Sequence, residues 1–200
     1  PAGLQIGYGA NAVTTQRLFT QGELMETANP TDMAIMGDGF FRLLTPNGES
    51  VYTRDGNFSV SGDGQLVSSS GYVLDPGIVI PEDTQEIGIS EDGTVSVTVA
   101  GDPYPQILGE VELVRFVNPA GLKAQGQNVY TQTAISGEAI PGMPGTSSLG
   151  RLQQGYLEVS NVEIVEEMIA LIAAQRAYEV NSKAIKAAED MMGQANDLTR

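Results

Sequence analysis

Apolar residues recur at a strict seven-residue interval through the last forty positions of the chain: Ile164, Leu171, Tyr178, Ile185 and Met192. Ala174, Ala188 and Ala195 fall three residues after members of that stripe, and Met168 sits one turn after Ile164, completing a seam of the coiled-coil type. A second row runs beside it through Ile169, Ala173, Ala177, Val180, Ala184, Ala187 and Met191. From 161 to 198 there is no proline, and Gly193 is the one glycine, so the pattern predicts a helix of roughly 55 Å at about 1.5 Å per residue. Two adjacent rows make a face wider than a dimer seam, which calls for at least two packing partners. Glu167 and Asn181 interrupt the stripe; Asn181 reads as a buried polar residue that fixes register. Upstream, Ser160 or Asn161 is placed to cap the helix, with Glu163, Glu166 and Glu167 near the positive end of its dipole.

The preceding residues carry a different period. Asp38-Gly39, Asn47-Gly48, Asp55-Gly56, Asp63-Gly64 and Asp92-Gly93 are pairs that accept positive φ at hairpin tips. Strand-sized runs separate them: FFRLL, SVYTR, NFSV, QLVSS, YVLDPGIVI, TVSVTV, GEVELVRFV and NVYTQT. In TVSVTV, Val95, Val97 and Val99 face one side and Thr94, Ser96 and Thr98 the other. The expected fold is therefore mainly β, an antiparallel domain of short hairpins followed by one long amphipathic C-terminal helix. Residues 1–33 read as an extended segment with a short strand over 12–19, residues 34–150 as the β-rich domain, and 151–200 as a linker and the helix. The run SGEAIPGMPGTSSLG, 136–150, reads as a linker or surface loop because it is rich in glycine and proline. Strands this short do not match the helix in length, so covering the helix with its own domain is the less satisfactory account. An exposed stripe of that size is costly in a monomer.

Composition narrows the chemistry. The net charge of −15 argues against a nucleic-acid partner. The chain has neither cysteine nor histidine, which removes disulfides, thiolate zinc sites and His-based nucleophile activation. A cysteine-free chain suits an exported or periplasmic protein. MGDGFF lacks the spacing and lysine of a phosphate loop, and the acidic turns lack calcium-loop spacing. The adjacent acids Glu82-Asp83 and Glu166-Glu167 give no reason to expect the facing carboxylate pair of a glycosidase. No catalytic residue, cofactor, metal or small-molecule substrate is expected. A structural subunit, a binding module with a helical tether and a cell-wall hydrolase remain as the three classes, in that order of preference. No stretch reaches membrane-spanning length and no secretory signal is visible. The first residue is proline, which suggests a piece of a longer chain.

Two blocks carry a family resemblance. DMAIMGDGFFRLLTPNGESVYTRDGNFSVSGDGQLVSSSGYVL, with Gly37, Gly39, Phe40 and Phe41 followed by Arg54, Asp55 and Gly56, resembles the hallmark stretch of the bacterial flagellar rod and hook proteins. LQQGYLEVSNVEIVEEMIALIAAQRAYEVNSKAIKAAEDMM, with Ser160 and Asn161, is similar to that family's closing helix. Within the family the chain is most similar to distal-rod members, with a proximal-rod subunit as the alternative; 200 residues leave no room for a hook protein's inserted domain. The resemblance implies a structural subunit of a helical tube, which acts as a drive shaft carrying motor torque to the hook across the periplasm. It implies as partners further copies of the chain, proximal rod proteins, the hook protein, the surrounding ring proteins and the flagellar export apparatus. It also implies an N-terminal amphipathic helix preceding residue 1, the natural partner of the seam.

Overall fold

The computed structural model describes residues 15–101, 104–146 and 148–198. The chain divides into two compact units, residues 1–160 and 161–200. Among the described residues the first unit holds sixteen short strands: β1 (Leu24–Glu26), β2 (Met33–Met36), β3 (Phe40–Leu44), β4 (Ser50–Thr53), β5 (Phe58–Val60), β6 (Leu66–Ser68), β7 (Val73–Leu74) and β8 (Thr84–Ile89), then β9 (Thr94–Val99), β10 (Gln106–Glu110), β11 (Leu113–Arg115), β12 (Lys123–Gly126), β13 (Val129–Thr131), β14 (Ile140–Gly142), β15 (Arg151–Gln154) and β16 (Tyr156–Glu158). The second is one helix, α1 (Ile164–Leu198). Mainly antiparallel β with a long terminal helix is the architecture the periodicities call for.

β3 is the hub of the largest sheet. Along one edge it pairs with β4, Phe41 opposite Thr53 and Leu44 opposite Ser50. Its other edge is shared between β7, at Leu43 and Leu44, and β11, at Phe40 and Phe41. Beyond these lie β13 and β12 on one side, β6 and β5 on the other, and β14 against β11. Successive residues of a strand point to opposite faces, so Phe40 and Phe41 enter different cores. Phe41 joins Met33, Leu43, Phe58, Leu74, Val95, Val97 and Leu113 in the main cluster, edge-on to Phe58 at 5.2 Å. Phe40 joins Tyr52, Val114, Phe116 and Leu122 on the other face, flanked by Phe19 and Tyr130. The β8–β9–β10 sheet contributes Ile89, Val95 and Val97 to the Phe41 side, so the valine face of TVSVTV is the inward one.

Three of the five glycine pairs do form tips with positive φ: Gly48 between β3 and β4, Gly64 between β5 and β6, and Gly93 between β8 and β9. The other two act differently. Asp38-Gly39 links β2 to β3, which belong to separate sheets. Gly56 has no positive φ; a Cβ there would lie 1.5 Å from the Met33 carbonyl oxygen, and the Met33 N–H donates to the Gly56 carbonyl at 3.0 Å. The glycine is required by the approach of β2, not by a turn.

The expected linker is part of the sheet. β14, inside the 136–150 run, pairs with β11, and Arg151–Gln154 pairs with β2 in full register. Glycine and proline here tolerate close strand contacts: a Cβ at Gly150 would lie 2.5 Å from the Met36 carbonyl oxygen. The β-unit consequently runs to Ser160 rather than ending at 150. Near the N-terminus the strand falls at Leu24–Glu26, whereas residues 15–19 form none; the part of that expected strand before residue 15 lies outside the described residues. No helix among the described residues is long and apolar enough to cross a membrane.

Candidate functional site

The last strand of the β-unit is held by one arginine. β16 pairs antiparallel with β1, Leu24 opposite Glu158 and Glu26 opposite Tyr156. The pairing is extended by Thr27 N–H to the Gly155 carbonyl at 2.8 Å and Val159 N–H to the Glu23 carbonyl at 3.0 Å. Arg54, just beyond β4, donates from Nε and Nη2 to Glu158 Oε2 at 2.9 and 2.7 Å. Its Nη1 donates to the carbonyls of Gly37 and Gly39, each at 3.1 Å. The other carboxylate oxygen of Glu158 accepts the Gly22 N–H at 3.0 Å. With side-chain exposures of 14% for Arg54 and 11% for Glu158, this is a largely buried, charge-assisted network with its donors and acceptors matched.

The Gly37–Gly39 loop can offer both carbonyls to one guanidinium because its two glycines adopt φ of +113° and +147°, which L side chains rarely reach. Gln21 closes the other side, accepting the Gly37 N–H at 2.9 Å and donating to the Ile35 carbonyl at 3.1 Å. Asp55 accepts the Asn57 N–H at 3.1 Å, shaping the bend that carries the chain past Gly56. Thus Gly37, Gly39, Arg54, Asp55 and Gly56 converge at one junction, while Phe40 and Phe41 anchor the adjoining strand in the two cores. Glu158 and Gln21 were not foreseen as members. The available signal was an acid in YLEV, a partly apolar strand with no basic neighbour in sequence.

α1 begins at Ile164, and the Glu167 N–H bonds the Glu163 carbonyl at 3.1 Å. Glu163 therefore supplies the carbonyl that closes the first helical turn, two residues after Asn161. Glu166 and Glu167 occupy its first turn, where their charge suits the dipole. Through Gln194, each residue of the helix is exposed except half-buried Ser182. That includes the whole seam: Ile164 at 74%, Met168 at 59%, Leu171 at 58%, Tyr178 at 77%, Ile185 at 60% and Met192 at 68%. Ala174, Asn181 and Ala188 are exposed with it.

Among the described residues no group of three acids is placed to hold a metal ion. Tyr52 has its pKa raised above 10.0, chiefly by burial, with Arg42 opposing and Asp75 reinforcing; it packs edge-on to Phe116 at 4.8 Å.

The β-unit closes with its own C-terminal strand, and the 35-residue helix that follows carries an exposed apolar seam. Residues 34–97 match the family model described as the flagellar hook protein FlgE/F/G D1 domain, and residues 153–198 the flagellar basal body rod FlgEFG protein C-terminal model. The flagellar basal-body rod protein FlgG of Borreliella burgdorferi is 50% identical over 202 residues, covering 100% of this chain and 76% of the relative. FlgG of Caulobacter vibrioides is 45% identical over 99% of the chain and 76% of its own length. FlgG of Bacillus subtilis is 37% identical over 98% of the chain and 75% of its own length. The chain belongs to the flagellar basal-body rod proteins of the FlgE/F/G family.

Proposed function

We propose that this protein is a distal-rod subunit that polymerises into a helical tube and works as the drive shaft between motor and hook. The observation that carries the reading is the uncovered seam, with Leu171 58% and Tyr178 77% exposed. Apolar surface is stabilised by about 25 cal/mol per Å² removed from water, and other copies of the same helix supply matching surface. In the tube, α1 packs in the inner wall with helices of neighbouring subunits, and the β-unit forms the outer wall. Ile164, Met168, Leu171, Ala174, Tyr178, Ile185, Ala188 and Met192 interlock, with Asn181 setting register. Identical subunits joined by repeated, non-closing contacts build a filament. Proximal rod proteins and the hook protein meet it end to end, ring proteins surround it in the periplasm, and the export apparatus delivers it. The protein has no catalytic role.

Torsional stiffness is supported by two features. The β-unit has a dry, fully enclosed core, with Phe41, Leu43, Val51, Val95, Leu113 and Leu152 at 0–1% exposure, and close-packed interiors resist shear. The Arg54–Glu158 junction ties the strand before the helix to three other segments of that unit. Electron microscopy of the purified full-length protein tests the reading: hollow tubes are expected. Leu171→Asp should leave the β-unit folded and abolish tubes and swimming; normal tubes from that variant would refute the seam assignment.

A further inference from the structure

The exposed seam of α1 has two polar interruptions, and both fall at the same place in the seven-residue repeat. Three positions after Ile164, Leu171, Tyr178 and Ile185 come Glu167, Ala174, Asn181 and Ala188. Glu167 and Asn181 therefore stand fourteen residues apart, which is two whole heptads. Both are exposed. A polar side chain that enters a helix interface unpartnered loses its hydration without recompense. An interface that covers this seam is therefore most stable where one interruption meets the other.

Tube geometry limits how they can meet. Copies related by rotation and rise about one axis all point their helices the same way. Neighbouring α1 helices then run parallel and differ by an axial shift, and the two seams stay in phase only for whole heptads. With no shift, Glu167 faces the Glu167 of the next copy, and like charges repel. With one heptad, Glu167 and Asn181 each face alanine. With two, Glu167 of one copy is level with Asn181 of the next, and the surrounding layers are apolar. Ile164 then lies beside Tyr178, Leu171 beside Ile185 and Ala174 beside Ala188. With three, Glu167 faces Ala188 and the overlap of the 35-residue helices shrinks to two heptads. The charges favour the same shift. Glu163, Glu166 and Glu167 precede every cation of the helix, whereas Arg176, Lys183 and Lys186 follow with Glu179 the one acid among them. Helices in step would gather the three acids of every copy at one level. Two heptads of shift move them to the level of residues 177–181, between Arg176 and Lys183.

We propose that neighbouring α1 helices pack in parallel with a stagger of two heptads, about 21 Å at roughly 1.5 Å per residue. The stagger is fixed by the Asn181 side-chain amide of one copy, which donates to the Glu167 carboxylate of the next. Such a bond is charge-assisted and therefore stronger than one between neutral groups. Each helix offers Glu167 to the neighbour on one side and Asn181 to the neighbour on the other. That is a heterologous contact, which propagates instead of closing on itself. The stagger rests on the tube reading above and supplies the partner through which Asn181 sets register.

Exchange of the two side chains in the full-length protein tests the pair. Asn181→Glu sets two carboxylates against each other and should raise the critical concentration for tube formation by about tenfold or more. Adding Glu167→Asn restores an amide–carboxylate pair with the partners reversed. The doubly exchanged chain should return to within about threefold of the unmodified protein. Thermal melts confirm that the β-unit of each variant is folded. An Asn181→Glu chain that assembles at the unmodified concentration, or a double exchange no better than Asn181→Glu alone, would overturn the pair.

Crosslinking measures the stagger directly. These 200 residues hold no cysteine, so Ala174→Cys and Ala188→Cys place thiols at two chosen levels and leave the polar pair intact. Tubes of the double variant should oxidise into a ladder of disulfide-linked copies, because the two positions fall side by side. Tubes of either single variant should stay unlinked. Linked dimers from Ala174→Cys alone would mean helices in step, and a double variant without a ladder would mean another shift; either result refutes the stagger while the tube stands. An unmodified chain that forms no tubes would overturn the tube reading itself, and this contact with it.

Discussion

The β-unit and the helix treat apolar surface in opposite ways. In residues 15–160 large side chains such as Phe41, Phe58 and Leu113 are buried to 1% exposure or less, by partners drawn from the same chain. In α1 the residues with the clearest periodicity are the exposed ones, from Ile164 to Met192. Equal hydrophobicity therefore has unequal meaning here. A core residue of the β-unit contributes to whether the molecule folds, whereas the role proposed for a seam residue is to join one molecule to the next.

The sharpest break between the two regions is expected at Gly56. A methyl group there would meet the Met33 carbonyl at 1.5 Å, and neither backbone can move without tearing β2 from its place. Gly56→Ala should cost more than about 4 kcal/mol and leave little folded β-unit, read as lost cooperative unfolding by circular dichroism. Gly193→Ala in the helix, where nothing lies within 4 Å of an added Cβ, should be neutral or stabilise the helix by up to about 1 kcal/mol. If both substitutions prove equally mild, the close approach of β2 is wrong.

Next in size is a pair of truncations. Phe41→Ala removes a fully buried ring and should cost about 3–5 kcal/mol in chemical denaturation of the β-unit. Leu171→Ala should change that transition by no more than about 0.5 kcal/mol, yet impair assembly. A Leu171 effect on β-unit stability comparable to that of Phe41 would erase the distinction drawn here.

How much of this was legible beforehand divides along the same line. Local periodicity and turn chemistry revealed the helix, the inward face of TVSVTV and the tips at Gly48, Gly64 and Gly93, because each depends on neighbours in sequence. What escaped depends on partners far away. Gly56 looks like one more Asp-Gly tip until β2 is laid against it. The glycine- and proline-rich run 136–150 looks like a linker until β11 pairs with β14. Glu158 is 104 residues from Arg54, a distance no window of sequence spans.

Two ion pairs sharpen the comparison within the β-unit itself. Arg54→Met would strip Glu158 Oε2 of both its donors and leave two loop carbonyls unmatched. It should cost about 3 kcal/mol, toward the low end for a buried pair because both groups retain some contact with water. Arg151 and Glu91 make an ion pair at 3.1 Å, but with 66% and 74% exposure. Arg151→Met should therefore change stability by no more than about 1 kcal/mol. Urea titrations of the two variants measure the contrast. Equal costs would mean that the Arg54 junction is an ordinary surface bridge rather than the brace of the last strand.

The smallest effect separates the two faces of the central sheet. Tyr52 lies on the Phe40 side, and burial raises its pKa above 10.0. A phenol whose pKa is higher folded than unfolded binds its proton more tightly in the native state. The difference has no effect below the unfolded value near 10 and erodes stability as the pH rises from there through the folded value. Tyr52→Phe should remove that part of the alkaline destabilisation. The residual slope then belongs to other groups, and hydrogen exchange at high pH can follow the two cores separately. With the native tyrosine, amides around Phe116 and Leu122 should lose protection at a lower pH than those around Leu43 and Val95. Simultaneous loss would show that the two faces open as one cooperative unit, with the tyrosine acting on the whole β-unit at once.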